Sequence, residues 1–157
     1  IPSSSVDARA KNYHWHDMTA GLLGALDAGA DTVVLGDGAG NVVEGPGFNV
    51  FCVNAAGAIV TPATGVLEGI TRRTVMEIAQ ALGLPLEQRL LPASELRAAR
   101  EVFISSSAGG VLAVTQVDGK PVGDGRIGPI AQRVIQTYWD WHKDPRFSVP
   151  VDYSAAP

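Results

Sequence analysis

Two side chains with catalytic potential stand in parts of the sequence where charged residues are unexpected. Lys11 comes just before a helical pattern and offers an amine. Glu44 lies within VVEGPGFNVF, a stretch of valines, glycines and phenylalanines that is typical of a buried sheet. Because a buried carboxylate is costly unless a cation or a proton donor meets it, Glu44 implies a partner.

Two further segments offer binding sites for an anion. In GITRRT, Gly69, Ile70 and Thr71 stand at the start of a helical pattern, where free N–H groups and the helix dipole favour negative charge. The run SSSAGG, from Ser105 to Gly110, follows a strand and offers hydroxyls and backbone N–H groups. An ordinary helix cap and an ordinary tight turn are the simpler explanations of these two segments.

Other patterns have structural explanations that are at least as good. Lysines are usually solvated, and Glu44 is also compatible with an edge strand that faces water. His14 and His16, at i and i+2, point in different directions and have no third ligand nearby, so no zinc site is predicted. GDGAGN joins two expected strands with no helix after it, which argues against a nucleotide-binding loop.

The composition is that of one globular domain. The chain has 157 residues, 46% hydrophobic and 18% charged, with a net charge of -4. There is no basic run that would bind nucleic acid and no apolar run long enough to span a membrane. Cys52 is the single cysteine, and no signal peptide is visible, which favours a cytoplasmic location.

Hydrophobic periodicity predicts helices and hairpins around a mixed sheet, an α/β or α+β fold. The first expected helix begins near Tyr13 and ends at Gly29. Three others span 69–83, 92–99 with Ser94 as the cap, and 128–142. The expected strands cover 32–37, 42–45, 49–54, the part of 55–62 that follows a turn at Gly57, 86–91 and 101–107. A hairpin over 111–122 is expected after them, with Asp118 and Gly119 at its turn.

Taken together, the lysine, the carboxylate and the two anion-binding turns suit one ligand, pyridoxal 5′-phosphate. Its aldehyde needs an amine, its ring nitrogen needs a carboxylate, and its phosphate needs N–H groups and hydroxyls. The order of the motifs also resembles that of a known family. KNYHWHD, EGPGFNVF, GITRRTV and SSSAGGV are similar to the motifs of the large domain of fold-type IV pyridoxal-phosphate enzymes (class IV aminotransferases), and most similar to those of (R)-selective amine transaminases.

The resemblance assigns roles to individual residues. Lys11 matches the Schiff-base lysine, and Glu44 matches the carboxylate that pairs with the ring nitrogen. The remaining matches are to cofactor-binding positions (Ile70, Thr71, Ser107 and Tyr13) and to substrate-pocket positions (Trp15, Gly109 and Gly110). Relatives often have threonine where Ser107 stands, and the tyrosine at position 13 is a feature of branched-chain enzymes rather than of amine transaminases.

The same resemblance implies a domain organisation. Residues 1–157 correspond to a C-terminal large domain of the D-amino-acid-aminotransferase-like fold, a mixed sheet or pseudo-barrel with flanking helices. Residues 1–10 are expected to be an interdomain linker and residues 143–157 a tail. The family's N-terminal small domain is expected as a missing segment or a separate chain, and the relatives are homodimers or larger oligomers.

The implied function is the transfer of an amino group from a primary amine, (R)-configured by this resemblance, or from an amino acid, to a keto acceptor. Branched-chain or D-amino-acid aminotransferases, and then aminodeoxychorismate-type lyases, are the alternative enzymes. A noncatalytic fragment that binds the cofactor or packs in an oligomer is the alternative outside enzymes. The presence of both Lys11 and Glu44 argues against that last reading, because such a fragment needs neither.

Overall fold

The computed structural model describes residues 7–11 and 15–155, and four α-helices lie within them. They are α1 (His16–Asp27), α2 (Ile70–Ala81), α3 (Ala93–Arg97) and α4 (Pro129–Trp141), and a 3₁₀ turn follows at Tyr153–Ala155. Among the described residues, no helix combines the length and the apolar character needed to cross a membrane. The helices instead cover a sheet.

Ten short strands make up the β-structure of the described residues. They are β1 (Asn41–Val42), β2 (Glu44–Gly45), β3 (Phe48–Val53), β4 (Ile59–Pro62), β5 (Leu86–Arg89), β6 (Leu91–Pro92), β7 (Glu101–Ser106), β8 (Gly110–Val114), β9 (Gln116–Val117) and β10 (Lys120–Pro121). The main sheet has the order β5-β4-β3-β7-β8, and β2 pairs with the first residues of β3. Only the β4–β5 pair is parallel within this sheet, so the sheet is mixed.

The two faces of the main sheet bury different cores, because side chains alternate along each strand. Phe51 and Phe103, stacked at 5.0 Å between ring centroids, face α2 and α4, where Val75 and Val134 complete the packing. Val50, Cys52, Val102 and their neighbours face the opposite way, toward α3 and β6. The α2/α4 face is the one that carries the polar groups described below.

Several predicted elements are confirmed, with bounds shifted by a few residues. The structure contains α1, α2 and α4, the strand β3, and the β9–β10 hairpin, whose turn residues Asp118 and Gly119 both have positive φ. The mixed α+β class is confirmed as well. The start of the first predicted helix, Tyr13, lies outside the described residues.

Two sequence predictions were wrong in detail. Residues 32–37 do not form a strand, because only Gly36 makes an isolated bridge, to Val42. The segment is nevertheless held in place, since the Leu35 N–H donates to the Glu44 carbonyl. Ser94 is not the cap of α3: the N-cap residue is Pro92, and no side chain of that position bonds to the helix.

Candidate active site

Glu44 is buried at the start of β2 and held by two N–H donors. Its side chain is 8% exposed, and its Oε2 accepts hydrogen bonds from the Leu67 backbone N–H at 2.8 Å and from Asn49 Nδ2 at 3.2 Å. Within the described residues it forms no ion pair. The edge-strand reading of Glu44, which leaves it facing water, is therefore wrong.

The surroundings of Glu44 disfavour its charged form. Burial raises the pKa of this carboxyl above its ordinary value, while the Leu67 N–H and the positive charges of Arg72 and Lys11 oppose the rise. The opposing groups do not cancel the cost of burial. A cationic ligand next to the carboxylate would offset the remaining cost, so the electrostatics of the site favour a positively charged partner.

Three polar side chains form a row across three neighbouring strands. Glu44 of β2 is directly opposite Asn49 of β3, and Asn49 is directly opposite Ser105 of β7. Residues that face each other across strands point to the same side of the sheet. The row therefore lies on the α2/α4 face, at the end of the sheet where β7 turns into the serine-rich loop.

The N-terminus of α2 lies above this row. Its N-cap residue is Gly69, whose side chain cannot cap the helix, so no side chain of the N-cap position bonds to the first turn. A Cβ on Gly69 would be only 2.3 Å from Asn49 Oδ1, so the close approach of helix and strand requires glycine here. The same approach of Gly69 to Asn49 places the first turn of α2 beside the row, with Ile70 71% exposed and Thr71 buried.

A buried arginine anchors α2 in this position. The guanidinium of Arg72 donates to the Pro62 carbonyl at 2.9 Å and to Gln88 Oε1 at 3.3 Å, and Nε is 3.4 Å from Thr61 Oγ1. Burial lowers the pKa of Arg72, and the charges of Glu68 and Glu44 oppose this. Arg72 thus ties the first turn of α2 to β4 and β5 and brings a positive charge near the helix N-terminus.

Lys11 and Trp15 lie on either side of the undescribed residues 12–14. Lys11 is exposed, and its charge acts on the carboxyl of Glu44, so the amine and the acid are within electrostatic range of each other. The ring of Trp15 comes within 4.0 Å of the Cβ position of Gly47, which places it over the glycine turn that follows Glu44. Tyr13 lies outside the described residues.

The serine-rich turn places Ser107 at the surface, just after β7. The turn is closed by the Gly109 N–H, which donates to Ser106 Oγ at 2.9 Å. Gly110 has a packing explanation: its φ is +69°, and a Cβ there would be 2.7 Å from a ring carbon of Tyr138 in α4. A substrate-lining role of Gly109 and Gly110 stays a prediction.

Three residues of the site, Asn49, Arg72 and Ser105, had no individual role in the sequence analysis, although Ser105 begins the predicted anion-binding turn. Two of them carried a usable signal. Arg72 shares the helical period of the buried residues Val75 and Ala79, whereas Arg73 next to it is exposed. Ser105 alternates with the buried Phe103 along β7, so it had to face the same core. The position of Asn49 next to Glu44 depends on strand pairing and carried no signal in the sequence.

The arrangement fits the groups of pyridoxal phosphate. A buried carboxylate suits a cationic ring nitrogen, the first turn of α2 suits a phosphate, and a nearby amine suits an aldehyde. One further feature indicates a ligand: Ser105 Oγ is the one fully buried side-chain oxygen or nitrogen without a hydrogen-bond partner in the described part of the chain. The described residues of this site do not line the cavities of about 410 and 380 Å³, which lie elsewhere on the chain.

Comparison with known proteins gives a consistent result. The family model described as Amino-transferase class IV matches residues 1–117. The branched-chain-amino-acid aminotransferase of Pseudomonas aeruginosa is 34% identical over 138 residues, which are 87% of this chain and 44% of that protein.

Solved structures agree with this match. The T.th. branched-chain amino acid aminotransferase, complexed with N-(5′-phosphopyridoxyl)-L-glutamate, superposes with a TM-score of 0.88 at 32% identity, over 94% of this chain and 51% of that one. The branched-chain aminotransferase of Thermoproteus uzoniensis, solved with norvaline, gives 0.86 at 32% identity, over 94% of this chain and 50% of that one. The chain thus spans about half the length of these relatives, and by the family match and the identities it belongs to the class IV aminotransferase family.

Proposed function

We propose that the chain is the cofactor-binding part of a pyridoxal-phosphate-dependent aminotransferase that moves an amino group between an amino acid and a keto acid. The observation that carries the proposal is Glu44, a buried carboxylate with two N–H donors and no ion pair among the described residues. It lies on the same sheet face as the uncapped N-terminus of α2. A carboxylate and an anion site in one row suit the two ends of this cofactor.

Each residue of the site then has a defined task. Glu44 holds the proton on the ring nitrogen through its negative charge, and Asn49 and the Leu67 N–H fix the orientation of the carboxylate. The N–H groups of Ile70 and Thr71 and the hydroxyls of Thr71 and Ser107 bind the phosphate.

Lys11 carries the proton transfer. Its amine would hold the cofactor at the aldehyde carbon, with release of water, and exchange with the substrate amine would set Nζ free. The free Lys11 Nζ would then take a proton from the α-carbon of the substrate and deliver it to C4′ of the cofactor. When bound, pyridoxal phosphate supplies the aldehyde for amine exchange and a cationic ring that withdraws electrons from the substrate carbon.

Branched-chain amino acids are the substrates that the comparisons favour, since the relatives reported above carry that name. This was the alternative in the sequence analysis, where an (R)-configured amine came first. One observation keeps the amine reading as a second candidate: Trp15, which matches a pocket aromatic of amine transaminases, lies over the glycine turn after Glu44. Amino transfer from L-leucine, compared with transfer from each enantiomer of a primary amine without a carboxylate, separates the two.

The oligomer and the location of the protein are also proposals. We expect a homodimer or larger assembly in the cytoplasm, with further protein surface that covers the site. The features in support are α1, none of whose described side chains is buried, and its exposed Leu23 and Leu26. Light scattering of the purified protein measures the assembly, and a strictly monomeric protein would contradict this expectation.

The central test is covalent capture of the cofactor. Borohydride reduction after incubation with pyridoxal phosphate should add one cofactor to the chain, on the peptide that contains Lys11. Lys11→Ala should abolish this adduct. Lys120→Ala, at an exposed lysine of the β9–β10 hairpin, is the matched control and should leave the adduct unchanged. An adduct that persists in Lys11→Ala, or no adduct in the unmodified chain, would reject the proposed function.

A further inference from the structure

We propose that Ser105 is an additional ligand of the cofactor phosphate, which it binds through a hydrogen bond donated by its hydroxyl. This inference rests on the proposed function and extends it to a residue that the family resemblance does not assign. Ser105 is 1% exposed, and its Oγ has no hydrogen-bond partner. A buried hydroxyl without a partner is costly, so such a group points to a partner that arrives from outside the chain.

The position of Ser105 selects the phosphate end of the cofactor. In the row that crosses β2, β3 and β7, Glu44 is at one end and Ser105 at the other. Opposite residues on neighbouring strands are about 5 Å apart, so the row spans about 10 Å, a length that suits one cofactor molecule. With the ring nitrogen at Glu44, the other end of the ligand lies toward Ser105.

The helix above Ser105 supports the same assignment. The α2 helix packs over β7, and its N-cap, Gly69, touches Asn49, the residue directly opposite Ser105. The other helix on this face, α4, has its first N–H groups bonded by the buried carboxylate of Glu101, at 3.1 and 2.7 Å. At the N-terminus of α2, no side chain of the N-cap position bonds to the first turn. The unpaired hydroxyl of Ser105 lies on β7, the strand over which this helix packs.

A pair of ligands that differ only in the phosphate tests this inference. Pyridoxamine 5′-phosphate and pyridoxamine both lack the aldehyde, so their binding, measured by calorimetry, does not depend on a covalent bond to Lys11. Ser105→Ala should lower the affinity for pyridoxamine 5′-phosphate by roughly tenfold to a hundredfold, the effect of losing a hydrogen bond to a charged group. The affinity for pyridoxamine should not change.

Two controls complete the experiment. Ser148→Ala removes a hydroxyl that donates to the Asp144 carbonyl in the C-terminal tail, and it should change neither affinity. Without ligand, Ser105→Ala should melt at the same temperature as the unmodified protein or higher, because the hydroxyl loses no partner within the chain.

Each contrary result overturns the inference. Unchanged binding of pyridoxamine 5′-phosphate would show that Ser105 does not contact the phosphate. An equal loss for both ligands, or a lower melting temperature without ligand, would show that the hydroxyl serves the fold instead. These results would leave the proposed function intact, provided that borohydride still attaches pyridoxal phosphate to Lys11. If the unmodified protein binds neither the phosphorylated amine nor pyridoxal phosphate, the proposed function fails and this inference fails with it.

Discussion

Replacing Glu44 by glutamine or by leucine separates the charge of this side chain from its hydrogen bonds. Glutamine keeps an oxygen that can accept from Asn49 Nδ2 and from the Leu67 N–H, the two donors that now meet Oε2. Leucine has a similar size but accepts nothing. The glutamine variant should therefore lose the charge and keep an acceptor for both donors, whereas the leucine variant loses the charge and the acceptor.

The expected difference follows from the two donors. Glu44→Leu leaves the Leu67 N–H without a partner, whereas Asn49 Nδ2 still donates to the Leu67 carbonyl at 2.9 Å. A buried N–H without a partner costs about 1–3 kcal/mol, so Glu44→Leu should be less stable than Glu44→Gln by about that amount. For a chain of this size, the loss corresponds to a melting temperature lower by roughly 2–12 °C. Thermal and urea unfolding of the two variants without cofactor measure the difference.

The pH dependence gives the sign of the charge effect. Because burial raises the pKa of Glu44, the folded chain binds a proton at pH values between the ordinary 4.5 and the raised value, where the unfolded chain does not. Stability contributed by Glu44 therefore falls as pH rises through this window. At neutral pH and without cofactor, Glu44→Gln should be more stable than the unmodified protein, and the advantage should disappear below about pH 4.5.

With cofactor and substrate present, Glu44→Gln should be less active than the unmodified protein. The glutamine cannot hold the ring proton by charge, so amino transfer at saturating cofactor should slow by roughly 10²–10³-fold, the usual effect of removing one preorganised electrostatic contact. An unchanged rate would refute the pairing of Glu44 with the ring. A glutamine variant as unstable as the leucine variant, or a stability of the unmodified protein that rises with pH through the window, would refute the account of the carboxyl's environment.

Three other experiments test the framework of the fold. Gly69→Ala places a Cβ 2.3 Å from Asn49 Oδ1, so it should lower the free energy of unfolding by about 1–3 kcal/mol and weaken cofactor binding. Gly24→Ala in α1 is the control: there is open space around it, so it should be neutral or stabilising by up to about 1 kcal/mol. Urea unfolding compares the two variants. Glu101→Ala leaves two N–H groups of α4 unpaired and should cost about 2–4 kcal/mol, and an unaltered melting temperature would contradict this. Burial raises the pKa of Cys52 to about 12, so a thiol reagent at pH 8 should label the chain only after denaturation; labelling of the native chain would show that the core opens there.

Local patterns in the sequence predicted much of the framework. The helical period of Val75, Ile78 and Ala79 predicted α2 and its buried face, and the apolar run before Asn54 predicted β3. These elements are set by burial periods that operate within a dozen residues. The segment 32–37 shows the limit of the same reasoning, since it is apolar but makes only one isolated bridge, from Gly36 to Val42.

The polar part of the site was less accessible, because it depends on which strands become neighbours. Glu44 and Asn49 are five residues apart, but Ser105 joins their row only through the β3–β7 pairing. A shift of one residue in that register would move Ser105 to the opposite face. The partners of Arg72 on β4 and β5 depend on pairing in the same way, and helical period indicates only that this residue faces the core.

Cofactor binding and stability of the fold should be coupled through the same groups. In the chain itself, Glu44 is a buried charge and Ser105 a buried donor without a partner, so both oppose folding. A cationic ring and a phosphate would satisfy both at once, and a ligand that binds only the folded state raises its stability by mass action. The stabilisation by ligand should therefore shrink in Glu44→Gln and in Ser105→Ala, even though neither change should destabilise the ligand-free chain. A merely structural role for these residues would give the opposite pattern, with loss of stability in the ligand-free chain and no change in what the ligand adds.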